Sequence, residues 1–354
     1  MIENDNRNSF LDQNSNDNTK KPQDDIKIEE QGRIWVGIED KIEQYYMKKY
    51  RQRTMLKIAC SLLLIGLISF YIYKFSDKND ISSEHHAVTI TPGSDKAILT
   101  LEDGSQVDLT SGDQDELAEA GVEFVKSEDG QLIYKISALN EENSIKGFNT
   151  ITTPRGGQYR IILPDDSEVL LNASSSLRFS KNIGNESIRS VDLTGEGFFK
   201  VKKSKIKPFI VNTHGQKIQV LGTVFNVNTY NKSGVYTTLL EGSVRLNDNS
   251  ILKPGQQGVS KTNKEYVTIS DVEVNDYVDW VNKQFVFRDE KIVDIMERLS
   301  RWYDFDVVYA ANVDMNVTFN GEVSRYTDVE DVLRLLSKTS NLKFVTQGKS
   351  IIIK

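Results

Sequence analysis

An uncharged run of sixteen residues, Ile58 to Tyr73 (IACSLLLIGLISFYIY), follows the basic stretch Lys48-Lys49-Tyr50-Arg51-Gln52-Arg53. The run is short for a hydrocarbon core of about 30 Å, but the flanking Lys57 and Lys74 can extend their amines to the headgroups. Residues 56–75 therefore read as one membrane helix. Lys41, Lys48, Lys49, Arg51, Arg53 and Lys57 all stand on its N-terminal side, which places the N-terminus in the cytoplasm and the C-terminus outside. A cleaved secretory signal would begin nearer the start and end in small residues, which Phe70 to Phe75 does not supply. Cys60 is a poor lipidation site, because Lys57 precedes it closely and most of the apolar run follows it.

The formal net charge of -7 argues against a nucleic-acid surface, and the basic stretch beside the apolar run is accounted for by topology. With a single cysteine, no intrachain disulfide can form, so any exported domain must be held by packing.

Residues 1–31 are rich in Asn, Asp, Gln, Glu and Lys with few large apolar side chains, and are expected to be a disordered cytoplasmic tail. Within 32–55, Ile34, Trp35, Ile38, Ile42, Tyr45 and Tyr46 recur at near-helical spacing. That pattern predicts an amphipathic juxtamembrane helix, lying against lipid or offering Trp35, Ile38 and Ile42 to a cytoplasmic partner. A linker, 76–96, follows the span.

From 97 to 280 the chain is a succession of strands broken by Asp, Gly and Asn. AILTLEDGSQVDL and YRIILPDDSEVLL share one plan, an apolar strand, an acidic turn and a second strand, and each predicts a hairpin. With no convincing helix between strands, this region predicts a mainly β, mostly antiparallel domain, either a sandwich or an irregular barrel. Its expected core contains Leu163, Val169, Leu171, Leu193, Phe199, Val211, Val220, Phe225, Val227, Leu240 and Val244.

Residues 281–354 change rhythm. Ile292, Ile295, Met296 and Leu299 mark one helical face, and Val329, Val332, Leu333 and Leu336 mark a second. Short β runs surround them, giving a predicted β-α-β-β-α-β unit whose helices cover one face of a sheet. Thr327 and Glu330 have capping-box spacing at the second helix. The C-terminal strand would be a recognition edge if left uncovered.

Little here can build an active site. His85, His86 and His214 have no metal-ligand spacing with Cys or carboxylates, and Gly195-Glu196-Gly197 is too short for a phosphate loop. No cofactor, metal or catalytic step is expected. Gly222-Thr223 interrupts a β run, either to relieve crowding at a corner or to place the Thr223 hydroxyl beside a strained Gly222 carbonyl. In Ser300-Arg301-Trp302-Tyr303-Asp304, the residues Arg301, Trp302 and Tyr303 either anchor a helix or form a partner-binding patch.

Taken together, TTPRGGQYRIILPDDSEVLLNASSSLRF, VDLTGEGFFKV, PFIVNT with VLGTVFNVNTY, TTLLEGSV with LKPGQQ, and LSRWYDFDVVY resemble the FecR-family anti-sigma factors of Bacteroidetes-type bacteria. The terminal unit resembles the short N-terminal domain of secretins and TonB-dependent receptors. Asp166 replaces the usual glycine of the acidic turn, and Leu170 stands where tryptophan is common. The resemblance implies two protein partners besides the lipid bilayer. One is the periplasmic signalling domain of a TonB-dependent outer-membrane transporter; the other is an extracytoplasmic-function sigma factor in the cytoplasm, with no direct contact to nucleic acid. It also implies self-cleavage at Gly222-Thr223 in some relatives. Relatives carry a longer cytoplasmic helical region than 32–55, so the alternative is a membrane-anchored periplasmic scaffold that does not bind a sigma factor.

Overall fold

The computed structural model describes residues 63, 66–70, 89–110, the strands 122–126 and 132–136, 147–247, 250–261 and 266–354. Residues 63 and 66–70 are helical, and among the described residues no helix is long and apolar enough to cross a membrane. The expected tail, most of the span and the juxtamembrane segment with Trp35, Ile38 and Ile42 lie outside the described residues.

The chain from His86 to Lys354 is one compact unit, mainly β with a small α/β part at its end. Two sheets form the β part. The first runs in the order Val267–Asp271, Gln256–Lys261, Gly234–Glu241, Val224–Asn228, Glu196–Lys200, Glu168–Leu171, Gly157–Ile162, Leu132–Ile136, Val122–Lys126. The second runs Ser250–Leu252, Val244–Leu246, Lys217–Val220, Phe209–Asn212, Arg189–Thr194, Ser175–Ser180, Phe148–Thr153, Ile98–Thr100, Gln106–Asp108. Most neighbours are antiparallel, while Arg189–Thr194 with Phe209–Asn212 and Leu132–Ile136 with Gly157–Ile162 are parallel.

Between the sheets lies a core that includes Leu99, Ile151, Ile161, Leu177, Phe199, Phe209, Val211 and Phe225. Phe199 and Phe225 stack with centroids 5.1 Å apart, and Phe209 tilts against Phe199 at 6.4 Å. The expected core is found buried with one exception. Leu239 faces the interior at 0% exposure, whereas Leu240 points to the other face and packs with Leu170, Phe198, Val278 and Trp280. Successive strand residues face opposite sides of a sheet, so choosing the wrong leucine of the pair reverses its environment.

The chain repeatedly leaves one sheet for the other, and a residue with positive φ stands at most of these crossings: Gly156, Ser174, Gly195, Gly222, Gly242 and Gly255. These are the PRGG, NASS, TGEG, LGT, EGS and KPGQ motifs of the sequence. A sandwich needs sharp corners to step between layers about 10 Å apart, and glycine reaches the left-handed region without a Cβ clash. Two of the positions also permit close approach. A Cβ on Gly222 would come 2.6 Å from the Cα of Lys203, and one on Gly195 would come 2.7 Å from the Cα of Ser175.

The two hairpins read from a common plan close with the same turn. Leu101 N–H donates to Ser105 O at 2.9 Å, and Leu163 N–H donates to Ser167 O at 2.8 Å. In each, an aspartate, Asp103 or Asp165, accepts from the backbone N–H and the hydroxyl of the serine two residues on. Gly104 (φ 87°) and Asp166 (φ 62°) occupy equivalent left-handed positions, a conformation that aspartate tolerates better than most residues. The departure at Asp166 therefore keeps the turn.

The terminal part contains helices α1 (Ile292–Tyr303) and α2 (Val329–Lys338) with their apolar faces buried as expected. Its strands depart from expectation. They form two small sheets, Gln284–Lys291 with Thr318–Ser324, and Asp306–Tyr309, Ser350–Ile353, Phe344–Gln347 in that order. The element order is β-α-β-β-α-β-β, because Gly348 (φ 59°) makes a two-residue turn between the last two strands. The C-terminal strand is consequently the centre of its sheet, paired on both sides. Nor does Thr327 cap α2. Asp328 holds the N-cap position without a side-chain cap bond, while Thr327 N–H donates to Ser324 O in the preceding turn.

The facing of the Leu239-Leu240 pair is tested by urea unfolding of the two alanine variants. Leu239→Ala is expected to cost about 2–5 kcal/mol, with Leu240→Ala costing clearly less.

Candidate functional site

The most densely built polar region is the junction between the sandwich and the α/β part. It starts at the corner Pro154-Arg155-Gly156-Gly157, which closes the C-terminus of α1. Helix ends leave carbonyls without intrahelical donors. Here Gly156 N–H donates to Arg301 O at 2.8 Å, and the Arg155 guanidinium donates to Ser300 O at 3.0 Å and also to Phe305 O. Arg155 further pairs with Asp306 at 3.0 Å and Asp304 at 3.4 Å. Asp304, at φ 53°, is the left-handed cap of the same helix.

Behind this corner, Trp302 is buried at 1% exposure and its indole N–H donates to Arg325 O at 2.7 Å. The Arg325 guanidinium lies 3.7 Å over the Trp302 ring, a cation–π geometry in a desolvated place. It donates to Gln158 Oε1 at 3.3 Å, Asn172 Oδ1 at 2.9 Å and Trp280 O at 3.2 Å. Gln158 and Asn172 belong to the sandwich side and Trp280 to the connecting segment, so one buried cation ties three parts of the chain. Burial pulls the Arg325 guanidinium down to about 10, which still leaves it protonated at neutral pH.

Asn172 passes the network to Glu196, which is buried in the sandwich sheet. The carboxylate accepts from the side-chain amides of Asn172 (2.7 Å), Asn226 (2.9 Å) and Asn228 (3.0 Å). Desolvation nevertheless raises its pKa above the usual carboxylate value, the three amides opposing the shift. Across the junction, Asp279 accepts from Val286 N–H at 2.7 Å and pairs with Arg298, which also reaches Glu290 at 2.7 Å. Glu196, Asn226, Trp280, Arg298 and Arg325 border a cavity of about 510 Å³.

The structure brings Arg301, Trp302 and Tyr303 together here, two of them inside the fold. Tyr303 is 2% exposed, and its hydroxyl donates to Thr327 O at 2.6 Å. Arg301 lies 4.0 Å over the ring of Tyr230 on the sandwich side. Of the three, only Arg301 keeps appreciable exposure. Gly222-Thr223 lies at a different corner, where Thr223 is 4% exposed and its hydroxyl donates to Ser243 O at 3.0 Å. Arg155, Arg325, Glu196, Asp279 and Asn172 had escaped sequence reasoning. Only the Pro-Arg-Gly-Gly spacing of Arg155 carried a visible signal, because a lone buried charge has no local pattern. Among the described residues no group of three or more His, Cys, Asp and Glu is placed to hold a metal.

Removing the shared cation should loosen the junction. Arg325→Ala is expected to cost about 3 kcal/mol in urea unfolding, since it strips charged hydrogen bonds from the buried Gln158 and the half-buried Asn172. Glu196 supplies a pH test. A carboxylate whose folded pKa lies above its unfolded value near 4.5 makes the protein less stable as pH rises from that value through the folded pKa. The stability of the native protein relative to Glu196→Gln should therefore fall over that rise in pH, measured by thermal unfolding from pH 4 to pH 8.

Comparison with known proteins agrees with this architecture. Residues 149–245 match the family described as FecR protein, and residues 284–353 match the family described as FecR, C-terminal. Two crystal structures of a candidate anti-sigma factor from Parabacteroides distasonis, at 1.65 and 2.50 Å resolution, superpose with a TM-score of 0.53 and 25% identity. Each match covers 58% of this chain and 98% of the other. No curated protein matches the chain. The chain is thus identified as FecR-type and anti-sigma-factor-like, with a region matching the FecR family followed by one matching its C-terminal family.

Proposed function

We propose that this protein is a single-pass inner-membrane anti-sigma factor that relays the state of a TonB-dependent outer-membrane transporter to an extracytoplasmic-function sigma factor. The observation that carries this reading is the order of parts. A basic-flanked apolar run separates a short segment containing Trp35 from a FecR domain and a FecR C-terminal domain packed as one body. Charge bias puts the short segment in the cytoplasm and the packed body in the periplasm.

Transmission needs no chemistry. It requires that the outer partner bind one arrangement of the protein more tightly than another, and that the arrangements differ in how the inner segment meets the sigma factor. A short segment that folds on its partner suits that role, because its ordering free energy is settled only in the complex. Self-cleavage at Gly222-Thr223 would be a separate, processing step and is read by mass spectrometry of the membrane-extracted protein.

Co-purification of the detergent-solubilised full-length protein with candidate sigma factors tests the reading. Specific recovery is expected, and it should disappear when Trp35, Ile38 and Ile42 are changed to Ala. Failure to recover any correctly folded sigma factor, with the exported part intact, would favour a membrane-anchored periplasmic scaffold.

A further inference from the structure

The core of the α/β part contains one residue from far upstream. Ile90 is 4% exposed and packs in the same cluster as Phe285, Ile295, Leu299, Trp302 and Ile351. Three residues on, Gly93 lies flat on Trp302, where a Cβ would come within 2.6 Å of the ring. The chain then pairs with the sandwich corner. Ser94 and Asp95 run parallel to Gly157 and Gln158, Ser94 N–H donates to Gly156 O at 3.0 Å, and Gln158 Nε2 donates to Asp95 Oδ1 at 3.1 Å.

We infer that residues 90–95 are a releasable strap, held in a socket of the α/β part that takes an extended segment with an aliphatic side chain shortly ahead of a glycine. The strap is the described chain's entry from the side of the apolar run, so whatever grips it grips the route to the inner segment. Its socket belongs chiefly to the α/β part, through Ile90 and Gly93, while the sandwich contributes backbone pairing at the corner. One aliphatic side chain and a two-residue strand are a small share of either core, so the strap can leave while both cores persist, as local opening of a low-stability segment. The socket's shape selects its occupant. A flat indole face admits a residue without a Cβ, and the neighbouring apolar pocket takes an aliphatic side chain. In the resting chain the strap fills the socket in cis; a docking protein that presents a similar extended segment would displace it. This inference rests on the signalling role proposed above for its biological use, but the socket itself is tested independently.

A fluorescent peptide spanning residues 87–96 is titrated against the full-length detergent-solubilised protein and its Ile90→Asp variant. Saturable binding to the variant is expected, with binding to the native protein weaker by about tenfold or more because its socket is filled, and an Ile-to-Asp version of the peptide should bind neither. Absence of binding to a variant whose α1 and α2 amides remain protected would overturn the socket. Should Ile90→Asp unfold the α/β part, Ile90→Ala is read by hydrogen exchange. Faster exchange at 90–96 with α1 and α2 unchanged is expected, whereas unchanged exchange at 90–96, or collective loss of protection in α1, would overturn a releasable strap. Sigma-factor recovery from the same samples separates the two readings. Equal recovery with the strap released would overturn the coupling, and no recovery even from the native protein would overturn the anti-sigma role while the peptide and exchange results still decide the socket.

Discussion

The seating of the α/β part on the sandwich rests on a buried cation. Arg325 stands over Trp302 and hydrogen-bonds to Gln158 and Asn172 of the sandwich and to the Trp280 carbonyl of the connecting segment. A guanidinium removed from water needs several partners at once, and those of Arg325 come from stretches that only meet when both parts are folded and seated. The cation therefore penalises misalignment more than it adds to overall stability. Arg155 acts from the other side of the interface, closing α1 with donors that the helix cannot supply itself. The two parts joined in this way form one compact unit.

The corners that make the sandwich also make this junction. Gly156 and Gly195 are crossings between sheets, and each is adjacent to a residue of the polar network, Arg155 in one case and Glu196 in the other. A sharp left-handed turn throws the neighbouring side chain out of the sheet's regular alternation, so it can point along the domain's end toward the α/β part. Leu170, Phe198, Val278 and Trp280 form a further apolar patch on the outer face of the same sheet, where the connecting segment lies. Trp280 thus packs in the same patch as Leu170 of the strand.

Much of this was legible in advance. The hairpins at Asp103 and Asp165, the strand-rich middle, the two helical faces of the terminal part and nearly all of the sandwich core follow from alternation, period and turn chemistry, which are local. The errors were also physical. The sequence pattern does not separate Leu239 from Leu240, because adjacent leucines on a strand carry no sign of which faces inward. The terminal strands read as one sheet, with its last strand a recognition edge only if uncovered, because strand pairing is a long-range choice that short apolar runs do not encode. Trp302 and Tyr303 read equally as a helix anchor or a partner-binding patch, since an aromatic pair at a helix end has the same local pattern whether it meets solvent or a neighbour; the structure buries both.

By itself the sequence determined the local rules: where the chain turns, which runs become strands or helices, and that an uncharged, basic-flanked segment separates a short part from a long one. Those properties depend on residues within a few positions of one another. Tertiary structure alone decided that Arg325 and Glu196 share a network through Asn172, that Arg155 closes α1, that Ile90 lies in the core of a part beginning near Gln284, and that the C-terminal strand is central. Each of these is a meeting of residues distant in the chain. Burial and hydrogen-bond pairing, unlike turn preference or periodicity, have no value until the partner arrives.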